Sequence, residues 1–578
     1  MNKFSKAVIS LICVLGMSVS LAGCGSSEVS LPGSGTPGVI DKTEWKEYDD
    51  LLVLASLEED PVSRALLLHK AEEMLMDTGC VIPLFWSCGY YLQKDYISNI
   101  IPVTGSNLDM SHVRTERPGP GNSVAAYILS EFPKADPSAD TSADMATLVL
   151  NTYAKLLKKD ENGEIVPDLA ESYTISDDRM TYTFTMRDNL KWSDGTPLDA
   201  RDFEYSWKRG AASANGFENG SLFDVISGYP DDLDVKASED GKTLTVKLMS
   251  PCPYFLQLCI TAPYVPLQKR QIENAEGYKN ASGKVVNPSA WAADAPIVSC
   301  GAYVLETWVH NSRMTLKKNP YYYDADNVSV DTIDLMINSD ATSLYAAYTA
   351  GDISILERSI PADIFPTLKG SPELHITESN TSASIIFNEN ADIFKGMTQQ
   401  EAATFRKALG QVIDRQFIVD VVISSPAKPA TSYVPESISA GAGYKFFETP
   451  GYDYPKGAGY YSTVPDIEGA RKMLESIGYK FGKNGKLLNP ISIEYKYNPA
   501  GTNEAIAVAV QADLAQLGIN FIPTAREWAV FLGEVGKRDF ECARDAWNAD
   551  YDDPNTFLSN FESAAPNNKA GLGVPAVK

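Results

Sequence analysis

Residues 169–209 read LAESYTISDDRMTYTFTMRDNLKWSDGTPLDARDFEYSWKR and carry the clearest structural pattern in the sequence. Apolar residues alternate with polar ones at 173–175 and again at 182–186, on either side of a polar turn at 176–178. Alternation on both sides of a turn is typical of a β-hairpin that buries one face. We therefore expect this part of the chain to form a small, largely antiparallel unit.

Turn and cap residues predict the elements around this hairpin. Asp240-Gly241 separates Val235 from the alternating run 244–248, which predicts a second hairpin. Asp60-Pro61 is typical of a helix start, with the acid as N-cap and Pro in the first turn. After the capping box that begins at Thr398, helical and strand periodicities alternate towards the C-terminus. This rhythm predicts an α/β lobe with a largely parallel sheet.

The composition excludes several classes of function. A chain of 578 residues exceeds one ordinary domain and indicates several lobes. The formal net charge is −25, from 50 Lys and Arg against 75 Asp and Glu. Because so acidic a chain repels phosphate backbones, we expect no nucleic-acid partner. The four His lack metal-ligand spacing, and the common hydrolase and P-loop motifs are absent, so we expect no metal, no cofactor and no enzyme.

The N-terminus has the pattern of an export signal. Two lysines precede an apolar run at 7–21 that is too short to span a membrane comfortably, and the run ends in Leu-Ala-Gly before Cys24. This pattern predicts a lipoprotein signal peptide at 1–24, lipid on Cys24 and a flexible tether at 25–44. The mature protein would then be extracytoplasmic and lipid-anchored to the cell membrane. The alternative is an N-terminal anchor helix that is never cut.

The stretch 169–209 closely resembles the signature of the oligopeptide-binding family of ABC-transporter solute-binding lipoproteins, bacterial family 5. Further blocks resemble the family and follow in family order: CGAYVLETWVHNSRMTLKKNPYYYDA (300–325), AAYTAGDISI (346–355), FRKALGQVIDRQFIV (405–419), ARKMLESIGY (470–479), REWAVFLGEV (526–535) and ARDAWNADYDDPNTFL (543–558). The resemblance covers most of 124–562. It implies an α/β fold of the periplasmic-binding-protein type, with two lobes, a hinge and an additional small α+β domain.

The order of segments departs from the family. Family members continue beyond the block 543–558 with a helix and two strands, whereas this chain ends soon after it in a tail rich in Pro, Gly and Ala. Residues 47–100 resemble the missing segment. We therefore expect a monomeric, circularly permuted chain in which 117–122 joins the former termini, because permutation is tolerated at exposed loops. A domain-swapped dimer and a scrambled gene product are the alternatives.

The resemblance also implies an order of domains. After the signal peptide and the tether, these are a permuted segment that completes lobe III (45–89), the first part of lobe I (90–155), the extra domain II (156–249), the second part of lobe I (250–377), lobe III (378–562) and a flexible tail (563–578). The hinge would then lie near residues 90 and 377.

The resemblance implies capture of an oligopeptide in a cleft between the lobes. The cationic amino terminus of a peptide needs a carboxylate, and the family role falls on Asp550. The polar backbone needs strand-like pairing, for which 545–548 and 141–143 are candidates. Arg544 is the candidate for the far carboxylate, and aromatic side chains would line pockets. The complete candidate set is Asp550, Trp547, Trp528, Arg544, Asn548, Asn498, Asn503, Asn388, Trp86, Phe85 and Ser142.

Other interpretations stay open. Asp550 could be a turn residue ahead of Asp553-Pro554, Arg544 an ordinary salt-bridge partner, and any one Trp a core residue. The ligand could instead be a nickel complex or an oligosaccharide. A peptide-sensing surface receptor would use the same scaffold, and a surface hydrolase lacks a recognisable motif. Transport would require separate ABC permease and ATPase subunits, because the chain has neither a bundle of membrane spans nor a P-loop.

Overall fold

The computed structural model describes most of the chain beyond residue 44. The described residues are 45–103, 107–140, 142–160, 163–357, 359–361, 363–424, 426–441 and 443–574, without the side chains of Glu218 and Ser379. The predicted signal peptide, the tether and Cys24 therefore lie outside the described residues. Within the described part, the structure has no helix with the length and apolar character of a membrane span.

Strands and helices alternate along the described chain. The strands are β1 (Val81–Gln93), β2 (Ile97–Ser98), β3 (Ile101–Pro102), β4 (Leu108–Asp109), β5 (Arg114–Thr115), β6 (Ser123–Ile128), β7 (Leu157–Lys159), β8 (Ile165–Pro167), β9 (Ala170–Ile175), β10 (Thr181–Met186), β11 (Val235–Ala237), β12 (Thr243–Lys247), β13 (Tyr303–Val309), β14 (Arg313–Lys318), β15 (Thr332–Ile337), β16 (Ile355–Glu357), β17 (Leu374–Phe387), β18 (Ala427–Pro429), β19 (Ser439–Gly441), β20 (Tyr444–Lys445), β21 (Ile491–Tyr497), β22 (Ile519–Ala525) and β23 (Cys542–Asn548). The α-helices are α1 (Lys46–Leu57), α2 (Pro61–Thr78), α3 (Ala143–Thr152), α4 (Ala200–Ala211), α5 (Phe255–Leu258), α6 (Lys269–Glu273), α7 (Ala341–Ala350), α8 (Gln399–Val412), α9 (Arg415–Phe417), α10 (Ile467–Ser476), α11 (Asn503–Leu514), α12 (Trp528–Gly536) and α13 (Asn555–Leu558).

The N-terminal part begins with a helical hairpin that leads into a long strand. The predicted helix start at Asp60-Pro61 is confirmed, since the Asp60 side chain accepts from the Ser63 N–H and Pro61 is the first residue of α2. Gly79 ends α2 at φ +66°, and a Cβ there would lie 2.9 Å from the Cβ of Arg406 in α8. Glycine thus allows both the left-handed turn and the close approach of the two helices.

The largest sheet has the order β16-β1-β17-β23-β21-β22, with β18 also paired to β1. The pairs β21–β22 and β21–β23 are parallel, whereas β1 pairs antiparallel with β16, β17 and β18, and β17 pairs antiparallel with β23. The prediction of a largely parallel sheet is therefore wrong, and the sheet is mixed. The two strands predicted in the C-terminal half, β21 and β22, do run parallel, and the antiparallel pairs arise where β1 and β17 join this sheet.

The two predicted hairpins are confirmed and join into one sheet. Strand β9 pairs with β10, β11 pairs with β12, and the β10–β12 pairing completes the order β11-β12-β10-β9. Helix α4 packs on this sheet and starts at a capping box formed by Asp199 and Asp202. A further sheet has the order β13-β14-β15-β6, in which only β15 and β6 run parallel.

The apolar interior divides into two main cores. The first core contains buried residues from Tyr91 to Ile355. The second core unites Trp45–Leu84 with Ile385–Leu572. The segment that precedes β1 therefore packs with the C-terminal half of the chain. The domain boundaries themselves stay predictions.

The end of the chain is packed against the beginning of α1. Ala570 and Leu572 are fully buried in the second core, and a Cβ on Gly573 would lie 2.7 Å from the Cβ of Trp45. Within the expected flexible tail at 563–578, the described residues 563–574 thus contribute apolar side chains to the core beside α1, and the flexibility of the tail stays a prediction. Trp45 also donates its indole N–H to the carbonyl of Phe561 at 2.8 Å.

Candidate functional site

Strand β23 has one paired edge and one open edge. On one side it pairs with β17 along its whole length, from Cys542 opposite Phe387 to Asn548 opposite Thr381. On the other side, β21 pairs only with residues 542–543. Within the described part of the chain, residues 544–548 therefore have no strand on that side. Unpaired backbone groups on such an edge can pair with an added extended chain.

Asp550 lies just beyond the open edge. The chain leaves the sheet at Ala549, whose N–H donates to the carbonyl of Asn380 at 2.8 Å. Thr556 then holds Asp550 twice: its hydroxyl accepts from the Asp550 N–H at 3.1 Å and donates to Oδ2 at 3.4 Å. Asp550 is exposed to solvent, yet desolvation by the protein around it raises its pKa to about 6, against the hydrogen bond from Thr556. Such a carboxyl can accept a proton or a cationic donor near neutral pH.

Arg544 lies at the other end of the open edge. Its Nε donates to Oδ1 of Asn503 at 3.1 Å. The Asn503 amide in turn donates to the backbone carbonyl of Asn498 at 3.0 Å and to its Oδ1 at 3.2 Å. The terminal nitrogens of Arg544 have no hydrogen-bond partner among the described residues. The structure thus brings three predicted residues together and leaves a positioned guanidinium available for an anion.

Two of the predicted aromatic residues keep accessible ring surface. Trp547 belongs to β23, is half-buried, and its indole N–H has no acceptor in the part of the chain that is described. Trp528 is the first residue of α12, is 50% exposed and stacks on Phe531 with ring centroids 5.9 Å apart. Accessible aromatic surface is typical of ligand pockets, and contact of either ring with a ligand stays a prediction.

The other candidates have contacts that favour structural roles. Trp86 is 2% exposed and makes an edge contact with Phe447, while its neighbour Phe85 is half-buried at the rim of the second core. The Asn388 amide donates to the carbonyls of Arg538 and Phe540 at 2.9 and 3.3 Å.

Asn548 and Ser142 are also bonded within the protein. Oδ1 of Asn548 accepts from the Thr381 hydroxyl at 2.6 Å, and the Ser142 hydroxyl caps α3 through the Met145 N–H at 3.2 Å. Thr141, from the predicted partner segment 141–143, lies outside the described residues. Ligand contact by any of these residues stays a prediction.

Sequence reasoning missed the three residues that follow Asp550. The ring of Tyr551 stacks on Tyr254, with centroids 4.2 Å apart and planes within 8°. Asp552 pairs with Lys159 at 3.1 Å. The carboxylate of Asp553 accepts hydrogen bonds from both terminal nitrogens of the buried Arg64, at 2.8 and 2.9 Å. The acidic run was visible in the sequence, but its partners lie hundreds of residues away, so no local signal identified them.

A groove of about 490 Å³ adjoins this end of the edge. Its lining includes Ala549 and Asp552 beside Asp550, Lys159 from β7, and Glu378 and Lys445. Both signs of charge line the groove, so it suits a ligand that carries both. Among the described residues, no cluster of three His, Cys, Asp or Glu has the arrangement of a metal site.

Comparison with known proteins gives a consistent result. The model of the family "Bacterial extracellular solute-binding proteins, family 5 Middle" matches residues 164–569. The oligopeptide-binding protein OppA of Salmonella typhimurium is 30% identical over 465 residues, which are 77% of this chain and 78% of the relative. The dipeptide-binding protein DppE of Bacillus subtilis is 29% identical over 435 residues, 73% of each chain.

Solved structures have the same fold. The unliganded open form of the murein tripeptide-binding protein MppA superposes with a TM-score of 0.61 at 24% identity, over 79% of this chain and 84% of the other. OppA of Haemophilus influenzae in complex with the peptide RPPGFSPFR gives a TM-score of 0.57 at 23% identity, over 79% and 85%. The expected two-lobe α/β fold is therefore confirmed.

Proposed function

The chain belongs to the bacterial extracellular solute-binding proteins of family 5, and from that premise we propose that it captures oligopeptides for an ABC importer. The observation that carries this proposal is the open edge of β23 between Asp550 and Arg544. A carboxylate at one end and a guanidinium at the other complement the two charged ends of a peptide. Relatives at 29–30% identity are named for oligopeptide or dipeptide binding, which supports the same class of ligand.

The proposed binding mode follows from the groups along the edge. A bound peptide extends beside residues 544–548 and exchanges backbone hydrogen bonds with them, which gives affinity without regard to sequence. Its amino terminus donates to Asp550, which Thr556 orients, and a carboxylate reaches Arg544, which Asn503 orients. Trp547 and Trp528 then supply apolar walls for side chains. The protein performs no covalent step in this scheme.

Capture also needs the rest of the molecule. In our proposal, lobes I and III close around the peptide by a hinge in β1 and β17, and the closed, monomeric protein docks on separate permease and ATPase subunits. Lipid on Cys24 would keep it at the outer surface of the cell membrane. A peptide-sensing receptor would share every step except docking on the importer.

We further propose that the chain is circularly permuted. Helices α1 and α2 and the first half of β1 share the second core with 385–572, and Gly573 approaches Trp45. Both observations support a former covalent connection between the segments around residues 45 and 574, with 117–122 as the junction of the former termini.

The permutation can be tested by reversing it. A variant that joins residue 574 to residue 45 through a short Gly/Ser linker and opens the chain at 119–120 should fold, because the joined ends already lie together. We expect the same cooperative thermal transition and the same peptide affinity as for the present chain. A variant that folds only as a dimer would contradict the proposal and favour a domain-swapped arrangement.

Peptide capture is tested by isothermal titration and thermal shift with peptides of two to eight residues. Ligands that bind only the folded state raise the melting temperature. We expect stabilisation by free peptides and its loss when the amino terminus is acetylated. The controls are a deoxycholate solution, oligosaccharides and nickel, since one relative at 27% identity is named as a probable deoxycholate-binding protein. If only a control compound stabilises the protein, the assigned fold is retained but the ligand is not a peptide.

A further inference from the structure

A second cavity, of about 350 Å³, lies beside the groove at the open edge of β23 and shares Lys159 with it. Its walls come from residues 101–112, 150–168 and 301–322, so every lining residue precedes β17. Its volume falls within the range of small-molecule sites, roughly 300–1,000 Å³. Lys159 also connects the cavity to the C-terminal half of the chain, because it donates to Asp552 at 3.1 Å.

Lys155 is the cation of this cavity that lacks a direct partner among the described residues. Its side chain lines the space and the residue is 8% exposed. Its backbone is fixed on both sides, because its N–H donates to Oδ2 of Asp168 at 2.9 Å and its carbonyl accepts from Leu169 at 2.8 Å. The ammonium itself has no hydrogen bond or ion pair among the described residues. Burial lowers the pKa of Lys155, while Asp109 and Asp168 act in the opposite direction.

The remaining cations of the cavity already have partners. Lys158 donates to the hydroxyl of Tyr323 at 3.3 Å, Lys159 to Asp552 at 3.1 Å, and Nε2 of His112 lies 2.9 Å from Oδ2 of Asp324. Lys155 is largely buried and its ammonium has no direct partner among the described residues, so it is the cation of this cavity with most to gain from an anionic ligand.

Asp109 lies on the acidic side of the cavity. Its Oδ1 accepts from the Ser111 N–H at 2.8 Å, and Oδ2 has no hydrogen-bond partner in the described part of the chain. Asp168 accepts from the Lys155 N–H and from the Tyr323 hydroxyl at 2.6 Å. Lys155 thus offers an ammonium without a direct hydrogen bond to the described residues, and Asp109 offers a carboxylate oxygen without one.

We propose that this cavity is a second ligand site that binds a free α-amino acid. The carboxylate of the amino acid accepts from Nζ of Lys155, and its ammonium donates to Asp109. A simple anion would satisfy Lys155 but would face the carboxylates of Asp109 and Asp168 without compensation, and a polyphosphate would face them more strongly. A zwitterion satisfies both open groups at once. The site shares Lys159 with the groove beside the peptide edge, but neither Lys155 nor Asp109 lines that groove, so the proposal does not rest on peptide capture.

The test measures binding of single L-amino acids to the purified protein by isothermal titration, at concentrations up to 10 mM. We expect at least one amino acid to saturate. Its N-acetylated and its amidated derivative should each bind at least fivefold more weakly, because each lacks one of the two charges. The variants are Lys155→Met and Asp109→Asn, each expected to weaken binding more than tenfold. Lys236→Met is the matched control, since that exposed lysine lies on β11, away from the cavity, and it should bind like the unchanged protein.

Several outcomes would overturn the proposal. They are the absence of saturable amino-acid binding, unchanged affinity in Lys155→Met, and equal binding of the amidated derivative. Folding of each variant is checked separately by its melting temperature, so that a loss of binding through unfolding is recognised. Peptide binding measured on the same samples should be unchanged in both cavity variants. A peptide that displaces the amino acid competitively would place the cavity within the cleft and contradict an independent site.

Discussion

Asp550 and Glu72 are two carboxyls with the same perturbation and different surroundings. Desolvation raises the pKa of Asp550 to about 6 and that of Glu72 to about 8. Glu72 is fully buried in α2, where its Oε1 accepts from the N–H groups of Tyr433 and Val434 at 3.1 and 2.8 Å. Asp550 is open to solvent at the end of an unpaired strand edge. One carboxyl can receive a ligand, and the other is sealed.

Because Asp550 and Glu72 differ in solvent access, a raised pKa does not by itself identify a binding group. His69 lies beside Glu72, with Nδ1 3.9 Å from Oε2, and burial lowers the pKa of His69 to about 4. The two groups therefore share a neutral, closed interior. Access to a cationic partner is what separates Asp550 from Glu72, and we expect ligand affinity to depend on the first and stability on the second.

The largest expected effect is on ligand affinity in Asp550→Asn. Loss of the charge that faces the peptide amine should weaken binding by about 2–5 kcal/mol, or roughly 30- to several thousandfold in Kd. Titration of a free tripeptide at pH 7.5 measures it. The melting temperature should stay within about 1 °C, because Asn can keep both hydrogen bonds that Asp550 makes with Thr556. Equal loss of affinity for an N-acetylated peptide would show that Asp550 acts through the fold and not on the amine.

The next effect is on stability and concerns Glu72→Gln. The folded protein holds a proton on Glu72 that the unfolded chain releases between pH 4.5 and about 8. The contribution of Glu72 to the free energy of unfolding is therefore complete below pH 4.5 and falls as pH rises, by at most about 1.4 kcal/mol per pH unit. Gln keeps an acceptor for the two N–H groups and does not titrate.

Urea unfolding of both proteins at pH 5, 6, 7 and 8 measures this difference. The stability of the unchanged protein relative to Glu72→Gln should decline across the series, and other titrating groups cancel in the comparison. Glu468→Gln on the exposed face of α10 is the control and should give a constant difference. A constant difference for Glu72→Gln as well would contradict the assignment of a buried proton.

A smaller effect is expected on the pH dependence of peptide affinity. The ionised form of Asp550 binds the amine, so affinity should rise as pH increases through about 6 and weaken again above about 8, where a peptide amine loses its proton. At pH 5, one unit below the pKa, affinity should be about tenfold lower than at pH 7. The affinity of an acetylated peptide, titrated in parallel, should show neither the rise near pH 6 nor the fall above about pH 8. If the affinity of the free peptide does not change with pH, Asp550 does not bind the amine.

The smallest effect is expected for Thr556→Val. This change removes the hydrogen bonds that Thr556 makes with the N–H and Oδ2 of Asp550. The pKa of Asp550 should rise further, and the pH range in which peptide affinity increases should move to higher pH. Affinity at pH 7 should fall by about 0.5–1.5 kcal/mol, the usual net value of one hydrogen bond. Thr556→Ser retains the hydroxyl and should bind like the unchanged protein. If peptide affinity rises over the same pH range in Thr556→Val as in the unchanged protein, Thr556 does not set the pKa of Asp550.

Local patterns in the sequence predicted local structure well. The alternating runs around 176–178 and Asp240-Gly241 form the hairpins β9–β10 and β11–β12, and Asp60-Pro61 starts α2. The pair β21–β22 runs parallel as predicted. The prediction of a largely parallel sheet was wrong because β1 and β17 join it antiparallel, and the same apolar strand fits a parallel or an antiparallel neighbour. The order of β1, β17 and β23 depends on how distant segments meet, which no local pattern records.

The candidate site was predictable in part. Asp550, Arg544, Asn498 and Asn503 came from the resemblance, and the structure brings Arg544 and the two asparagines into one hydrogen-bonded chain. The anchors of residues 551–553 were not predictable, since their partners are Tyr254, Lys159 and Arg64. The buried Lys155 was not recognised either, because a lone lysine in a sequence does not reveal its burial.

The sequence by itself determined the class of the protein, its local hairpins and helix starts, and the residue types available for a charged ligand. These properties depend on period, caps and short motifs, which act over a few neighbouring residues. Only the tertiary structure decided that β23 keeps an open edge, that 45–84 packs with the C-terminal half, and that Asp550 and Glu72 differ in access. Those outcomes depend on which distant surfaces exclude water together, and burial is a property of the whole fold.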